Sequence, residues 1–374
     1  MTDGAPRQSL LAGLRVVDLS LWQPGHTATQ LLADLGADVL KVEPPGGDRM
    51  RPLVDRFYNY NGHKRSVVLD LKDQRDRQRL FELVAAAEVV VENYRPGVAD
   101  RLGVGFDDLL SVNPSIVMCS ITGFGQQGPL AGVPGHDRNF QAYAGAFTFP
   151  TNGPPAPSGV LVGDQGGGMA AAFAIVAAVL CARRTGEGEH IDLAITDLLA
   201  AWVAPLGSID PRRFVMSTSD DLPGMGVFCT ADDKYIELGI FSEDHLWDLL
   251  CDSIDLAEHV GLDMEARVAS ASKLREAVAA RIREWRRDEI VELLTTRSVP
   301  VAPVLSREEM LEHPNFRQRG IITTGPDGYR AIAHPIKYAK HPALAPGRPP
   351  ELDEHADAGF TPAAISPNGA AHRD

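Results

Sequence analysis

Two stretches of the sequence carry side chains suited to acid–base or nucleophilic chemistry. The first, Pro134–Asp137, places His136 beside Asp137, and the second, Gly163–Met169, contains Asp164 followed closely by three glycines. Imidazoles and carboxylates commonly exchange protons in enzymes, and a carboxylate also acts as a nucleophile. We therefore interpret these stretches as the chemical centre of the protein.

The segment after Asp164 indicates where its carboxylate lies. Met169–Ala182 is apolar on every face, which predicts a buried helix. Arg183 and Arg184 suit the negative end of the helix dipole, and Gly186 suits a stop. Asp164 is then expected at the mouth of this helix, on a turn whose glycines leave room for a ligand. The alternative is that Asp164 only caps the helix.

Residues 1–125 alternate between apolar runs and segments with helical spacing. The predicted strands are Leu14–Leu19, Asp38–Glu43, Ser66–Leu71, Glu88–Asn93 and Ile116–Ile121. The predicted helices are Thr27–Leu35, Gln74–Ala87 and Asp107–Val112. Continuous Val and Ile runs indicate a sheet covered on both faces, and strand–helix–strand order favours parallel pairs. The predicted fold class is therefore α/β, with a doubly wound parallel sheet in a large domain.

The turn after the first predicted strand lacks the glycine pattern of nucleotide-binding folds. It reads Leu21–His26 in place of GxGxxG, and the phosphate-binding pattern GxxxxGKS/T is absent from the sequence. Because the glycines that admit a pyrophosphate are missing, neither NAD nor ATP is predicted as a ligand.

Composition limits the class of partner and the compartment. The 374 residues include 50 acidic and 36 basic side chains, a formal charge of −14, which argues against nucleic acid or an anionic membrane as the main partner. The four cysteines lack CxxC spacing, so neither a metal site nor a disulfide framework is predicted. The N-terminal residues resemble no secretory signal and the apolar helix is too short for a membrane span, so we expect a cytoplasmic protein.

Changes in composition divide the chain into four parts. They are a large domain over residues 1–205, a proline-containing linker over 206–225, a small domain over 226–305, and a segment over 306–374 that returns to the large domain and ends in a flexible tail. The small domain is predicted to contain a strand at Tyr235–Ile240 and helices at Asp244–Cys251, Lys273–Trp285 and Asp288–Thr295.

Six motifs distributed along the chain carry a more specific signal. They are Leu31–Pro44, Lys64–Lys72, Glu92–Gly97, Gly123–Pro129, Arg184–Gly188 and His313–Gly320. In this order, and over nearly the whole chain, they resemble the family III CoA-transferases, a group that includes alpha-methylacyl-CoA racemase and formyl-CoA transferase. The resemblance implies a Rossmann-like large domain, a smaller α+β domain and a homodimer of interlocked chains. It also implies an acyl-CoA thioester substrate, with no metal and no separate cofactor, since coenzyme A is part of the substrate.

By resemblance, a set of positions binds the nucleotide and pantetheine parts of coenzyme A. They are Gln23, Leu69, Lys72, Asn93, Tyr94 and Arg101, together with Gly135 and Asp137 of the first stretch. The cations suited to the phosphates are Lys64, Arg65, Lys72 and Arg101, for each of which solvated surface charge is the alternative. Some family members place an arginine where Pro44 stands here, a departure that bears on adenine stacking at that edge.

Two reactions in this family share the position of Asp164. In the transferases the aspartate attacks the acyl-CoA, forming a mixed anhydride and then an aspartyl-CoA thioester. In the racemases the aspartate and a histidine exchange protons on opposite faces of the α-carbon. The sequences of Gly135–Asp137 and of the turn over Leu161–Met169 resemble those of the racemases. We therefore expect epimerisation of a 2-methyl-branched acyl-CoA, with Asp164 and His136 as the two bases.

Glu243 is the third member of the predicted racemase site. It lies four residues before Trp247, at the position where racemases carry a glutamate that pairs with the histidine. Residues 241–244 nevertheless differ from the Glu-Pro sequence that is usual there. Asp137 is expected to orient His136 or to serve as a proton partner. The alternative for His136 is a loop histidine bonded to backbone. The alternative functions are CoA transfer to a carboxylic acid through Asp164, and CoA binding without catalysis.

Overall fold

A computed structural model describes residues 9–148, 153–204 and 222–360. The described parts of residues 1–205 and 317–374 form one compact unit, called unit 1 below, and those of residues 206–316 form unit 2. Residues 206–221 of the predicted linker and residues 361–374 of the predicted tail lie outside the described residues.

Unit 1 is built on a six-stranded parallel sheet. Its strands are β1 (Arg15–Asp18), β2 (Asp38–Glu43), β3 (Arg65–Val68), β4 (Val89–Glu92), β5 (Val117–Thr122) and β6 (Glu189–Ala194). The order across the sheet is β3-β2-β1-β4-β5-β6, and every neighbouring pair is parallel. This arrangement confirms the predicted α/β class. The order reverses between β1 and β4, and ligands of open α/β sheets bind at the carboxyl ends of the strands at such a point.

The five predicted strands are all present, and β2 has the predicted bounds. They are short and almost fully buried, as continuous Val and Ile runs require. β6 is an addition to the prediction. It lies at the edge of the sheet and alternates polar and apolar residues that are mostly not buried, so it lacks the apolar run that marks the other strands.

Eight helices of unit 1 connect these strands within the described residues. They are α1 (Gln23–Asp34), α2 (Val54–Tyr60), α3 (Gln74–Ala86), α4 (Val98–Leu102), α5 (Phe106–Val112), α6 (Asp137–Tyr143), α7 (Val162–Thr185) and α8 (Ile195–Val203). α1 begins four residues before the predicted Thr27, because Pro24 in its first turn has the φ angle that starts a helix. α2, α4 and α6 are short helices that the hydrophobic spacing did not predict.

α7 crosses one face of the sheet. It packs on α1, and its residues Ala171, Ile175 and Val179 join the core cluster formed with β1, β2, β4 and β5. The expectation that this helix is buried on every face is wrong for the single chain, because the side chains of Phe173 and Leu180 are 77% and 63% exposed. The expectation that this helix is too short for a membrane span is also wrong, because it extends beyond the predicted Met169–Ala182 at both ends. Among the described helices, α7 is the one that is long and apolar enough to cross a membrane by length and composition.

The opposite face of the sheet is covered by α3 and α5. A second cluster joins Val17 and Leu40 of the strands to Leu80 and Leu83 of α3 and Leu109 of α5. Both faces of the sheet are thus buried, which leaves its two ends as the places where a ligand can reach the strands.

Unit 2 contains a three-stranded antiparallel sheet and short helices. The strands are β7 (Met225–Cys229), β8 (Tyr235–Gly239) and β9 (Val301–Pro303), in the order β7-β8-β9. The helices are α9 (Asp244–Ser253), α10 (Met264–Ala269), α11 (Ala271–Ile282), α12 (Arg287–Thr296) and α13 (Arg307–Glu312). Trp247 is fully buried in the core of this unit with Leu250 and Ile236.

The chain returns to unit 1 at Arg317, within α14 (Pro314–Gln318). It then forms an antiparallel hairpin of β10 (Ile322–Thr324) and β11 (Arg330–Ile332). The hairpin packs on α2, where the ring of Tyr329 stacks on Tyr58 at 4.4 Å between centroids. α2 is therefore fixed by a segment more than 250 residues away in the sequence.

Candidate active site

A cleft of about 720 Å³ opens at the carboxyl edge of the large sheet. Its walls include the loops that follow β1, β4 and β5, with Gln23, Asn93 and Gly123 among the lining residues. The backbone N–H of Leu21 donates to the side-chain oxygen of Asn93 at 2.9 Å, which joins the loops after β1 and β4. The cleft therefore lies at the point where the strand order reverses.

The direction of α7 explains why Asp164 reaches this cleft. α7 directly precedes β6, and β6 runs parallel to the other strands, so α7 must return from the carboxyl edge to the amino edge of the sheet. Asp164 lies in the first turn of α7 and lines the cleft. An acidic residue at this end of a helix is favoured by the helix dipole.

The backbone of Asp164 is held by a second carboxylate. Its N–H donates to Asp137 at 2.8 Å, and Asp137 also accepts a hydrogen bond from the side-chain amide of Gln141. Asp137 is buried. The helix begins at Val162 with Leu161 at the cap position, so Asp164 lies inside the first turn, and its side chain makes no capping hydrogen bond. The capping interpretation of Asp164 is therefore wrong, because Asp137 satisfies one of the free N–H groups of the first turn.

Burial and charge raise the pKa of Asp164. Loss of solvation is the largest cause, the negative charge of Asp137 adds to it, and the positive charge of Arg56 opposes both. The pKa rises to about 7. Near neutral pH the carboxyl group is thus able to hold a proton or to act as a nucleophile, which is the requirement of both reactions considered above.

The glycines after Asp164 serve helix packing. A Cβ atom on Gly166 would lie 2.3 Å from the ring of Trp202 in α8, and one on Gly168 would lie 2.5 Å from the Cβ of Thr27 in α1. The expectation that these glycines leave room for a ligand is wrong. They lie inside α7, not on a preceding turn, and the space beside them is filled by the neighbouring helices.

His136 lines the same cleft as Asp164. It occupies the cap position of α6, where its backbone N–H donates to the side-chain oxygen of Asn139 at 3.0 Å. Its exposed ring lies edge-on to Trp22, with 6.1 Å between centroids. The carboxylate of Asp137 bonds Asp164 and Gln141, so the structure replaces its expected role in orienting His136 with one in positioning Asp164.

The predicted CoA-binding residues divide into two groups. Those that line the cleft are Gln23, Asn93, Tyr94, Gly135 and Asp137. Those that do not are Leu69, Lys72 and Arg101. The side chain of Leu69 belongs to the core cluster on the α3 face, whereas Lys72 and Arg101 are exposed near the carboxyl end of β3 and on α4. The cleft thus brings together predicted residues from the segments after β1, β4 and β5, and leaves outside the two that follow β3 and Arg101 on α4.

Two cations proposed for phosphate binding have other partners. Lys64 is buried, and its Nζ lies 3.1 Å from Asp18, 2.7 Å from Thr29 and 3.0 Å from Asn61. Arg65 forms two hydrogen bonds of 2.8 Å with Asp38. The phosphate role of Lys64 is wrong, because its charge is already neutralised and removed from solvent.

His26 belongs to the same buried polar network beneath the first loop. Its Nε2 lies 2.9 Å from both Asp48 and the Nζ of Lys41, and Lys41 in turn donates to the backbone oxygen of Ser20 at 2.7 Å. Burial, with the charge of Lys41, lowers the pKa of His26 to about 4. The imidazole is therefore neutral, and it fixes the start of α1, which carries the cleft residue Gln23.

Glu243 lies in unit 2, immediately before α9. Its carboxylate accepts the backbone N–H of Phe241 at 2.9 Å. Pairing of Glu243 with His136 stays a prediction.

Three arginines of the cleft were missed by the sequence reasoning. Arg56, Arg95 and Arg138 all line it, and all are exposed. Arg95 stands within the Glu92–Gly97 motif, so its position was a signal that could have been used. Arg56 lies on α2, a helix that the hydrophobic pattern did not reveal.

Comparison with known proteins places this site in a family. The model of CoA-transferase family III matches residues 11–356, a stretch that contains every residue of the cleft. The chain belongs to CoA-transferase family III. The resemblance drawn from the six motifs is thereby confirmed.

Family III relatives are similar over nearly their whole length. Succinate–glutarate CoA-transferase of Agrobacterium fabrum is 32% identical, over 95% of this chain and 96% of the relative. Formyl-CoA:oxalate CoA-transferase of Rhodopseudomonas palustris is 31% identical, over 93% and 92%. Succinyl-CoA:mesaconate CoA-transferase of Haloarcula hispanica is 33% identical, over 92% and 94%.

Solved structures of the family have the same fold. A CAIB/BAIF family protein from Brucella suis superposes with a TM-score of 0.83 at 29% identity, covering 94% of this chain and 98% of that chain. Rv3272 from M. tuberculosis gives a TM-score of 0.85 at 28% identity, covering 94% and 99%. The fold and the enzyme family of the chain are thus established together.

Proposed function

We propose that this family III enzyme transfers coenzyme A between an acyl-CoA thioester and a free carboxylic acid, with Asp164 as the nucleophile. The observation that carries the proposal is that the Asp164 carboxylate lines the cleft while its backbone is held by Asp137. The relatives reported above are named as CoA-transferases, which supports transfer over the epimerisation expected from the sequence. Succinate, glutarate, oxalate and mesaconate are dicarboxylates, so we extend the proposal to a dicarboxylic acid as one substrate.

The proposed reaction needs no proton transfer. The carboxylate of Asp164 attacks the thioester carbonyl carbon and expels the CoA thiolate, which leaves a mixed anhydride between the acyl group and Asp164. The thiolate then attacks the aspartyl carbonyl carbon and expels the first acid, which leaves an aspartyl-CoA thioester. The second acid attacks that carbon, expels the thiolate and forms a new anhydride. Finally, the thiolate attacks the carbonyl carbon of the second acid in this new anhydride, which gives the new acyl-CoA and the free Asp164 carboxylate.

Residues around Asp164 have proposed roles in binding the thioester. Gln23, Asn93 and Tyr94 line the cleft after β1 and β4, and their proposed role is to contact the pantetheine arm. Lys72 and Arg101, which are exposed outside the cleft, are retained as candidates for the phosphates of coenzyme A. No metal or separate cofactor enters the proposal, because the thioester itself supplies the activated acyl group.

Trapping the thioester tests the proposal. The enzyme is incubated with succinyl-CoA and no acceptor, then treated with borohydride, which reduces an aspartyl thioester to homoserine. Peptide mass spectrometry is expected to find homoserine at position 164 in the wild-type chain and not in Asp164→Asn. An unmodified Asp164 peptide, together with the absence of CoA transfer to any acid, would contradict the proposal.

Epimerisation is the second candidate function. It is favoured by one observation, that His136 lines the same cleft as Asp164. A 2-methyl-branched acyl-CoA is incubated with the enzyme in deuterated water, and incorporation of deuterium at the α-carbon is followed by NMR. Deuterium incorporation that depends on both Asp164 and His136 would support epimerisation. No incorporation, together with successful borohydride trapping at Asp164, would support CoA transfer as the one function.

We also propose that the enzyme is a cytoplasmic homodimer. Apolar side chains of α7 and α8 are exposed in the single chain, among them Met169, Phe173, Leu180 and Trp202. A second copy is the proposed cover for this surface, since exposed apolar patches mark interfaces. Sedimentation is expected to give a dimer for the wild-type chain and dissociation for Phe173→Glu. A wild-type monomer at micromolar concentration would exclude the dimer.

A further inference from the structure

Arg56 is an unpaired cation at the wall of the active-site cleft. It lies on α2, is exposed, and lines the cleft together with Asp164. Within the described residues it forms no ion pair, and its charge acts on Asp164 and Tyr60. An arginine left without a partner beside a reacting carboxylate is available to bind an anionic group of a substrate.

Contacts on both sides fix the helix that carries Arg56. On one side Tyr58 stacks on Tyr329, and the side-chain oxygen of Asn59 accepts the backbone N–H of Ile332 at 2.9 Å. On the other side the hydroxyl of Tyr60 accepts a hydrogen bond from Gln165, the neighbour of Asp164. The same short helix thus contacts the β10–β11 hairpin and the first turn of α7, so the position of Arg56 relative to Asp164 is set by the fold.

The segment before α2 is anchored as well. The guanidinium of Arg51 donates to both carboxylate oxygens of Glu43, at 2.6 and 2.7 Å, and stacks over the ring of Phe57. Arg51 is therefore occupied with a structural partner, whereas Arg56, five residues later, is not. This difference within one short segment separates a structural arginine from one that is free to bind a ligand.

The negative charges near Asp164 explain why a cation is needed to bind an acidic substrate in the cleft. The buried carboxylate of Asp137 lies next to Asp164, and it repels any acid that approaches the reacting carbon. When Asp164 is bound as a thioester it carries no charge, so Arg56 loses its acidic neighbour and can pair with a carboxylate of the second substrate. A guanidinium binds a carboxylate with two parallel hydrogen bonds, which also orients it.

We propose that Arg56 is a specificity-determining residue that binds the non-reacting carboxylate of a dicarboxylic acid while its other carboxylate attacks the enzyme-bound thioester. This inference rests on the transferase function proposed above. It adds the residue that distinguishes dicarboxylic from monocarboxylic acids of the same length, a distinction that Asp164 itself cannot make.

The test compares two acids of equal chain length. CoA transfer from saturating succinyl-CoA is measured to glutarate and to pentanoate, with wild-type enzyme, Arg56→Gln, Arg56→Lys and Arg49→Gln. Arg49 is exposed in the same segment but does not line the cleft, so Arg49→Gln controls for the loss of one positive charge. Succinyl-CoA is the donor in both reactions. Any effect of Arg56 on the reaction with succinyl-CoA therefore cancels in the ratio of the kcat/KM values for the two acids.

Arg56→Gln is expected to lower the glutarate-to-pentanoate ratio of kcat/KM by about 10- to 100-fold, mainly through KM for glutarate, as the loss of a charge-assisted hydrogen bond predicts. Arg56→Lys is expected to restore part of the ratio, and Arg49→Gln to leave it unchanged. Equal losses for both acids, or an unchanged ratio in Arg56→Gln, would overturn the assignment of Arg56 alone. Failure of the wild-type enzyme to transfer CoA to any acid would overturn the proposed function, and this inference with it.

Discussion

The stability of the fold is expected to be lowered by the same environment that raises the pKa of Asp164. The carboxyl group lies in the first turn of α7, is largely removed from solvent and stands beside the negative charge of Asp137. Its folded-state pKa is raised from 3.8 to about 7. A carboxylate that is harder to ionise in the folded state than in the unfolded state costs free energy whenever the pH ionises it. Replacing Asp164 by Asn should therefore stabilise the protein above neutral pH.

The raised pKa gives the size and the sign of this effect. Each pKa unit corresponds to about 1.4 kcal/mol, so a rise of about three units sets a ceiling of about 4 kcal/mol. Partial contact of the carboxylate with solvent and relaxation of the site reduce this value, and we expect about 2 kcal/mol. The folded state holds the proton more tightly, so the cost is absent below about pH 4, grows as the pH rises, and is complete above about pH 7.

Urea unfolding of the wild-type chain and Asp164→Asn, at about pH 4.5 and about pH 8.5, measures this difference. The stabilisation by Asp164→Asn should be small at the lower pH and close to its full value at the higher one. Asp197→Asn is the matched control, since Asp197 lies in the first turn of α8 but is exposed. An equal effect of Asp164→Asn at both pH values, or a loss of stability at the higher pH, would refute the electrostatic account of this site.

Three further outcomes follow from contacts around the site. Removing the negative charge in Asp137→Asn should lower the pKa of Asp164 and move the acidic limb of the kcat/KM profile for transfer to lower pH; an unmoved limb would contradict this. Gly168→Ala places a Cβ 2.5 Å from Thr27, so it should lower the free energy of unfolding by about 1–3 kcal/mol, whereas Gly159→Ala, with open space around its Cβ, should not. Lys64→Met leaves the buried Asp18 without its cation and should cost about 3–5 kcal/mol, while the exposed Lys72→Met should cost little; equal urea midpoints for these two variants would count against the buried pair.

The sequence alone was sufficient for the fold class and for the position of Asp164 near the start of a long apolar helix. The Val and Ile runs of β1, β2, β4 and β5 are continuous because both faces of the sheet are buried, and burial is recorded in local composition. Asp164 stands out because a carboxylate precedes a long apolar helix. The collinear motifs identified the family from residue types and order, without any knowledge of contacts.

The tertiary structure decided which partner each polar residue has. Lys64 resembles a surface cation in the sequence but is neutralised by Asp18, and Asp137 adjoins His136 in the sequence yet bonds the backbone of Asp164. Arg56 lines the cleft from α2, a helix that the β10–β11 hairpin contacts from far along the chain. Local sequence patterns report whether a residue is buried, whereas hydrogen bonds and charge pairs form between segments that the folded backbone alone brings within reach.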